Sequence, residues 1–483
     1  MCEPSVSGKP GSSGPTTTNR HMYSLTARLY YNYALCRSRE LFRRLRHVER
    51  SQFWPSERIE ASSFQKARDM AIFSYECVPY YRLRFDQAGV DPRAISGVNA
   101  FLHIPVLRKQ DVQTASDRLL ATGSNRAELR LNHTGGSTGH LLSFYQDRHY
   151  LVANAADKLL TYDMCGHKPG MRWAFLWGSD YDAPGGRWED LRRRIELNCV
   201  WINTFGLDWS KLASVAKVLS AFRPKFIVGY VSSLILLSQY LSDRGLRLDP
   251  IAIQSSAETL TLAQRRQLES VFHAPVFDRY GCREVGNVAQ ECEAHDGLHI
   301  LGETNFVEII REDGQRAEPG ETGRIIVTNL TNSAFPFIRY DTGDLGVAGN
   351  PTQCACGRSL PKITQVKGRS SDVIVSPEGR LLHGEFFTHL FYGVKGVRQF
   401  QVVQHDRKRI VISIVRSPAF GEDELNKVRD LVFRYGSPHF SLDFEFPDSI
   451  AASSSGKHRF TISLIPHELF PPSEIDTFND SSL

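Results

Sequence analysis

The chain lacks any run of about 18 apolar residues, so a membrane-spanning helix is not expected. Its amino terminus also lacks the charged-then-apolar plan of a secretion signal, which points to the cytoplasm. Charge of one sign is scarce: a net +5 over 483 residues gives no reason to expect nucleic acid and mildly favours anionic substrates. No internal repeat is visible. The nine cysteines are odd in number and scattered, which excludes a disulfide framework and makes metal ligation the better use of any cluster. What remains is ordinary for a folded protein, at 41% hydrophobic and 23% charged residues. The length exceeds one comfortable core, so two or more domains are expected.

Residues 2–19 are Ser, Gly, Pro and Thr with almost nothing apolar, and residues 1–22 therefore read as a disordered tail. From Tyr23 to Arg50 the pattern is helical, with Leu25, Leu29, Tyr33, Leu41 and Leu45 opposite Arg37, Arg39, Arg43, Arg44 and Arg46. That basic face suits solvent on a packed helix better than an anionic membrane surface. Trp173–Trp177 and Phe226–Val228 read as buried strands followed by turns, and residues 251–260 and 275–280 repeat the theme. After Gly229 and Tyr230, Ser232 or Ser233 is placed to cap a helix through Leu234, Leu237 and Tyr240. This alternation predicts α/β architecture with ligands at strand carboxyl ends. Beyond Val366 short alternating strands such as Phe400–Val403 and Arg409–Val415 mix with helices. A large domain over 23–367 and a small α+β domain over 368–483 follow.

Five local signals carry chemistry. Thr134-Gly135-Gly136-Ser137-Thr138-Gly139 frees the backbone to curl its N–H groups around phosphate oxygens and adds hydroxyl donors. It is not a Walker loop, because no Gly-Lys pair ends it. Tyr280, Gly281 and Glu284 follow a strand at Pro275–Phe277, where Tyr280 can meet a flat ring and Glu284 a hard cation such as Mg²⁺. Ser256, Ala257 and Glu258 at another strand end wall the same pocket. Asp344, on the turn Asp341-Thr342-Gly343-Asp344, can accept both hydroxyls of a ribose. The charged junction Lys367–Asp372 is a place for rotation, and the small-residue loop Ser453–Lys457 can insert Lys457 into a distant site.

In order and spacing the set resembles the acyl-adenylate-forming superfamily. More narrowly it resembles the phenylacetate–CoA ligases and the related adenylate-forming proteins of capsular polysaccharide clusters. Val78-Pro79-Tyr80-Tyr81, Gly229-Tyr230, Glu291-Cys292 and Cys354-Ala355-Cys356-Gly357-Arg358 support the narrower likeness, which spans roughly residues 60 to 465. The resemblance implies a large adenylate-forming domain with a small mobile carboxyl-terminal one. It implies that Thr134–Gly139 grip the ATP phosphates, that Tyr280 stacks on adenine, that Glu284 holds Mg²⁺, and that Asp344 with Arg369 holds the ribose. Lys457 would serve adenylation, steadying the carboxylate and departing pyrophosphate, and would then withdraw as the small domain turns for acyl transfer. Three positions depart from the pattern: Arg283 replaces the usual Ser or Thr before the metal glutamate, His140 follows the phosphate loop, and Val231 stands where Pro often follows Gly-Tyr.

Cys292-x-x-His295 and Cys354-x-Cys356 offer three thiols and an imidazole, a set suited to tetrahedral Zn²⁺. Some relatives carry a structural zinc in this insertion region around 292–356. Free thiols beside a surface His are the alternative, and His299 is a less favoured substitute ligand.

The expected function is ATP-dependent activation of an aromatic or apolar carboxylic acid and its transfer to CoA. Trp177, Phe205 and Tyr230 are the candidate pocket walls, alongside Trp173. Capture of the adenylate by an amine or alcohol is the second reading, and a catalytically silent nucleotide-binding protein the third. The resemblance also allows a homodimer.

Overall fold

A computed structural model describes residues 38–134, 142–177, 186–204, 207, 209–258, 260, 262–311, 313–350, 352–367, 374–382, 387, 390–391, 394–448, 450 and 461–465. Of the basic amphipathic segment, the described part is helix α1 (Arg39–Ser51). Phe42, Leu45 and Val48 lie one helical turn apart and are buried with Ala156, Leu160, Met164 and Leu301. Arg39, Arg43 and Arg46 remain exposed on the opposite face, while Arg44 donates to the Glu303 carbonyl. The helix is thus a packed one with a solvated charged side.

Nineteen strands are described, β1 (Arg130–Thr134), β2 (Leu142–Gln146), β3 (Trp173–Trp177), β4 (Cys199–Asn203), β5 (Phe226–Tyr230), β6 (Ala252–Ser256), β7 (Val276–Cys282), β8 (Gly286–Glu291), β9 (Leu298–Ile300), β10 (Asn305–Ile310), β11 (Thr322–Asn329), β12 (Tyr340–Ala348) and β13 (Lys362–Lys367) among them. One 11-stranded sheet runs β10-β11-β12-β13-β9-β8-β7-β6-β5-β3-β4. Strands β4, β3, β5, β6 and β7 are mutually parallel, whereas β7 pairs with β8 antiparallel. Strand β7 is therefore the seam between a parallel α/β half and an antiparallel half. Parallel sheets bury both faces, and here the two differ. Ala174, Leu176, Ile227 and Ile253 face an aliphatic layer with helices α2 (Trp209–Phe222), α3 (Val231–Asp243) and α4 (Leu262–Phe272). Trp173, Phe175, Phe226, Val228 and Phe277 face an aromatic layer with Tyr162.

The helix after β5 begins two to three residues earlier than the serine-cap reading put it. Tyr230 is its N-cap and Val231 its first residue, with no side-chain cap. Strand β7 likewise runs past Phe277 through Tyr280, because the β8 hairpin partner keeps pairing it.

The change of texture beyond Val366 coincides with the end of the large sheet at Lys367. After β14 (Ile374–Val375) and β15 (Leu381–Leu382), a four-stranded sheet is built from β16 (Val397–Gln404), β17 (Arg409–Arg416), β18 (Ser441–Glu445) and β19 (Thr461–Ser463), ordered β18-β17-β16-β19. Phe400, Val402, Ile410, Ile412 and Ile414 give it a separate apolar core with Val428 of α5 (Glu422–Leu431).

Candidate functional site

The phosphate-loop sequence is the connection of an antiparallel hairpin. Strands β1 and β2 pair from Arg130↔Gln146 to Thr134↔Leu142, so Thr134 closes the ladder. Gly135, Gly136, Ser137, Thr138 and Gly139 fall outside the described residues, as do Phe205, Arg369 and Lys457.

The seam strand β7 presents the next group. Tyr280 donates from its hydroxyl to Asp344 Oδ2 at 2.9 Å and lies 3.1 Å from Thr342 Oγ1, so residues more than sixty positions apart meet. Burial, followed by the Asp344 charge, pushes the Tyr280 phenol well above its ordinary range, and it stays a neutral donor. Gly281 is required here: a Cβ at this position would run into the Gly286 carbonyl across the β7–β8 turn. That turn carries Glu284, 7% exposed, whose Oε1 accepts from the Tyr340 hydroxyl at 2.8 Å. Strand β12, which bears both Tyr340 and Asp344, is anchored at its entry by Arg339. The Arg339 guanidinium is buried against Glu308 at 3.0 Å and caps the Ile104 carbonyl at 2.6 Å. Two tyrosine hydroxyls and two carboxylates, those of Asp344 and Glu284, are thus tied together where β7, its turn and β12 meet.

At the carboxyl end of β6, Ser256 is buried, Ala257 is exposed with φ +68°, and Glu258 is half-buried. A left-handed conformation at a non-glycine residue costs on the order of 1 kcal/mol or more, so the strand end is held in a turn that the surroundings enforce. On the aromatic side, Trp177 and Tyr230 lie with ring centroids 4.3 Å apart, and Phe175 stacks on Trp177 at 4.8 Å. Arg279 closes the same rung. Its Nη2 lies 2.8 Å from Ser256 Oγ, and Nη1 meets Asn287 Oδ1. Sequence reasoning passed over Arg279, although alternation along β7 was available to place it opposite Tyr280.

The cysteine cluster forms, with one ligand exchanged. Donor atoms of Cys292, Cys354, Cys356 and His299 all lie within 4.8 Å of one another. His295, the imidazole of the Cys-x-x-His reading, is not among them. It sits in the β8–β9 turn at φ +50°, its ring beside Phe277 and its Nδ1 3.3 Å from Glu291 and 3.1 Å from Arg265. Pairing of β8 with β9 instead brings His299 opposite Gln290, next to Cys292. The four donors fit a tetrahedral ion: zinc–sulfur bonds of about 2.3 Å place two sulfurs about 3.8 Å apart, and Cys292 Sγ and Cys354 Sγ are 3.7 Å apart. Burial lowers the His299 pKa to about 4, which keeps the imidazole neutral as a ligand must be. Partial burial opposes ionisation of Cys356, but hydrogen bonding with Arg358 outweighs it and holds the thiol below its usual range. Four protein ligands leave no open position, so such an ion braces the β8–β9 hairpin against the loop that carries Cys354 and Cys356.

Comparison with known proteins bears on the fold. The CapK C-terminal domain family matches residues 374–464, the region of the small sheet. The Staphylococcus aureus protein CapK is 27% identical over 369 residues, covering 75% of this chain and 80% of CapK. The chain is a relative of CapK and the phenylacetate-coenzyme A ligases. The Thermus thermophilus phenylacetate-coenzyme A ligase is 25% identical over 66% of this chain and 72% of its own, and that of Escherichia coli 27% over 66% and 73%. Among solved structures, a 2-hydroxyisobutyryl-CoA ligase in complex with its acyl-AMP and CoA superposes with a TM-score of 0.60 at 19% identity, over 86% of this chain and 91% of that one. The fold is that of the adenylate-forming ligases. None of the helices among the described residues is long and apolar enough to cross a membrane.

Proposed function

We propose that this protein activates a carboxylic acid with ATP, releasing pyrophosphate, and transfers the acyl group of the resulting acyl-adenylate to CoA. The observation that carries the reading is the corner in which Tyr280 bonds Asp344 while Glu284 is buried nearby under Tyr340. Such a corner has a part for each part of the nucleotide. Tyr280 offers a ring face to adenine, Asp344 accepts from ribose hydroxyls, and Glu284 holds Mg²⁺, which offsets the polyphosphate charge. The β1–β2 hairpin supplies Thr134–Gly139 for the phosphates. Relatives that are phenylacetate-coenzyme A ligases support CoA as acceptor. Zinc at Cys292, His299, Cys354 and Cys356 is proposed as a structural ion.

The acid lies along the aromatic rung of Trp177 and Tyr230, at the carboxyl ends of the parallel strands. Lys457, on the small domain, enters for adenylation and leaves when that domain rotates about 368–372. A well-aimed cation of this kind is worth about 10²–10³ in rate.

The test is pyrophosphate release with ATP, Mg²⁺ and a panel of acids, with and without CoA. Lys457→Ala should slow acid-dependent release by about 10²–10³ yet still transfer acyl groups from a supplied acyl-adenylate to CoA. Equal loss of both steps would refute the role of Lys457. Release without thioester, but with amide on adding an amine, would replace CoA by an amine acceptor. No release with any acid would leave a silent nucleotide-binding protein.

A further inference from the structure

Strand register places Tyr230, Ser256 and Arg279 level with one another on neighbouring parallel strands: Tyr230 pairs with Ser256, and Ser256 with Arg279. Trp177 extends the rung at the other end, against Tyr230. Side chains alternate along a strand, so Arg279 shares the aromatic face with Phe277, while Tyr280 points to the nucleotide corner on the opposite face. The guanidinium is therefore turned away from the groups that would hold adenine and ribose.

Its partners are neutral. Ser256 Oγ receives Nε at 3.1 Å and Nη2 at 2.8 Å, and Asn287 Oδ1 receives Nη1. Among the described residues no carboxylate forms an ion pair with it. The adjoining Asp278 carboxyl is directed to the other face, 2.9 Å from Ser255 Oγ. The nearby Glu291 is taken up by both arms of Arg265, at 3.0 and 2.9 Å. Burial is the main influence on Arg279 and depresses its pKa, although the guanidinium remains cationic. The adjoining Asp278 carboxylate acts on it through charge without an ion pair, and a ligand anion in direct contact would complete the balance.

Adjacent strands lie about 4.8 Å apart, which sets the Arg279 backbone about 10 Å from that of Tyr230. One benzene ring with a carboxylate at each end fits that span. We infer that Arg279 is a specificity-determining residue of the acyl pocket and selects an aryl acid bearing a second carboxylate remote from the one that is activated. This sharpens the apolar or aromatic acid of the proposed function and rests on that reading for the identity of the pocket. The aromatic wall holds the ring by stacking, and the guanidinium receives the distal carboxylate.

The experiment uses the full chain with terephthalate, isophthalate and 1,4-phenylenediacetate, each beside the monoacid in which methyl replaces the second carboxylate. Two readouts are taken: kcat/KM for pyrophosphate release, and the equilibrium binding constant by calorimetry without ATP. One diacid should be preferred over its monoacid by roughly 10- to 150-fold, the range of a hydrogen bond to a charged group. Arg279→Met should reverse that ratio, and Arg279→Lys should retain part of it. The inference is overturned if no diacid is preferred in either readout, or if Arg279→Met lowers diacid and monoacid alike, which would assign Arg279 to the reacting carboxylate. Release with monoacids and no preference would sink Arg279 as a selector while leaving adenylation intact. Arg279-dependent diacid binding with no release would do the reverse.

Discussion

Asp157 offers a quantitative check on the packing behind the site. It lies on the helix Arg148–Met164 that covers the aromatic layer, and it is 1% exposed. Burial raises its carboxyl pKa from 3.8 to about 7, with the Thr304 hydroxyl and the Arg44 charge opposing the rise. The folded protein therefore holds this proton more tightly than the unfolded chain does. Below about pH 4 both states are protonated and nothing is lost. Between about pH 4 and pH 7 only the unfolded state ionises, so stability falls as pH rises, and above pH 7 the loss levels off. A shift of about three units corresponds to roughly 4 kcal/mol at the plateau, and about 2–3 kcal/mol of it accrues between pH 5 and pH 8. Asp157→Asn keeps the shape and removes the titration. Urea midpoints of the two proteins at pH 5, 6, 7 and 8 should diverge in favour of the Asn variant as pH rises. A gap that stays constant over that range would show that Asp157 is ionised in the folded state and that the burial argument is wrong.

The remaining expectations concern metal and nucleotide. Purified protein should carry about one equivalent of zinc by elemental analysis, lost in His299→Gln and Cys292→Ser but kept in His295→Gln; equal loss in the two histidine variants would return the ligand to His295. Stripping that ion with a chelator should lower the thermal midpoint, and an unchanged midpoint would mean that the cluster braces nothing. Asp344→Ala should raise KM for ATP by roughly 10- to 150-fold, the value of hydrogen bonds to a charged acceptor. Tyr280→Phe, which keeps the ring and loses only the hydroxyl, should cost distinctly less, and a cost as large as that of Asp344→Ala would deny the ring its stacking role.

The parts of this molecule that could be read from the sequence are those whose cause is local. Buried strands at Trp173–Trp177 and Phe226–Val228 announce themselves by unbroken apolar runs, and two of the four strands of the small sheet, β16 and β17, by alternation. Errors arose where pairing between strands decides. His295 satisfies a local Cys-x-x-His spacing, but the β8–β9 register carries His299 to Cys292, and no spacing rule within one turn reveals that. The cap of the helix after β5 was misplaced because Tyr230 ends a strand whose length is set by its neighbours.

Strand β7 shows why the proposed acid-binding side was harder to read than the proposed nucleotide side. Tyr280 and Arg279 are adjacent in sequence, yet a period of two sends one to Asp344 and the other to Ser256 and Asn287. A single extended strand can therefore touch two different ligands with consecutive residues, and it holds their reacting ends in a fixed relation because its backbone is bonded on both sides, to β6 and to β8. That rigidity is what an in-line attack of a carboxylate on a phosphate needs. On the proposed reading, a residue exchanged at position 279 would alter which acid is held without disturbing the proposed platform for adenine. Exchange at 280 would do the converse, and the choice of acid and the use of ATP would then vary independently at neighbouring positions of one strand.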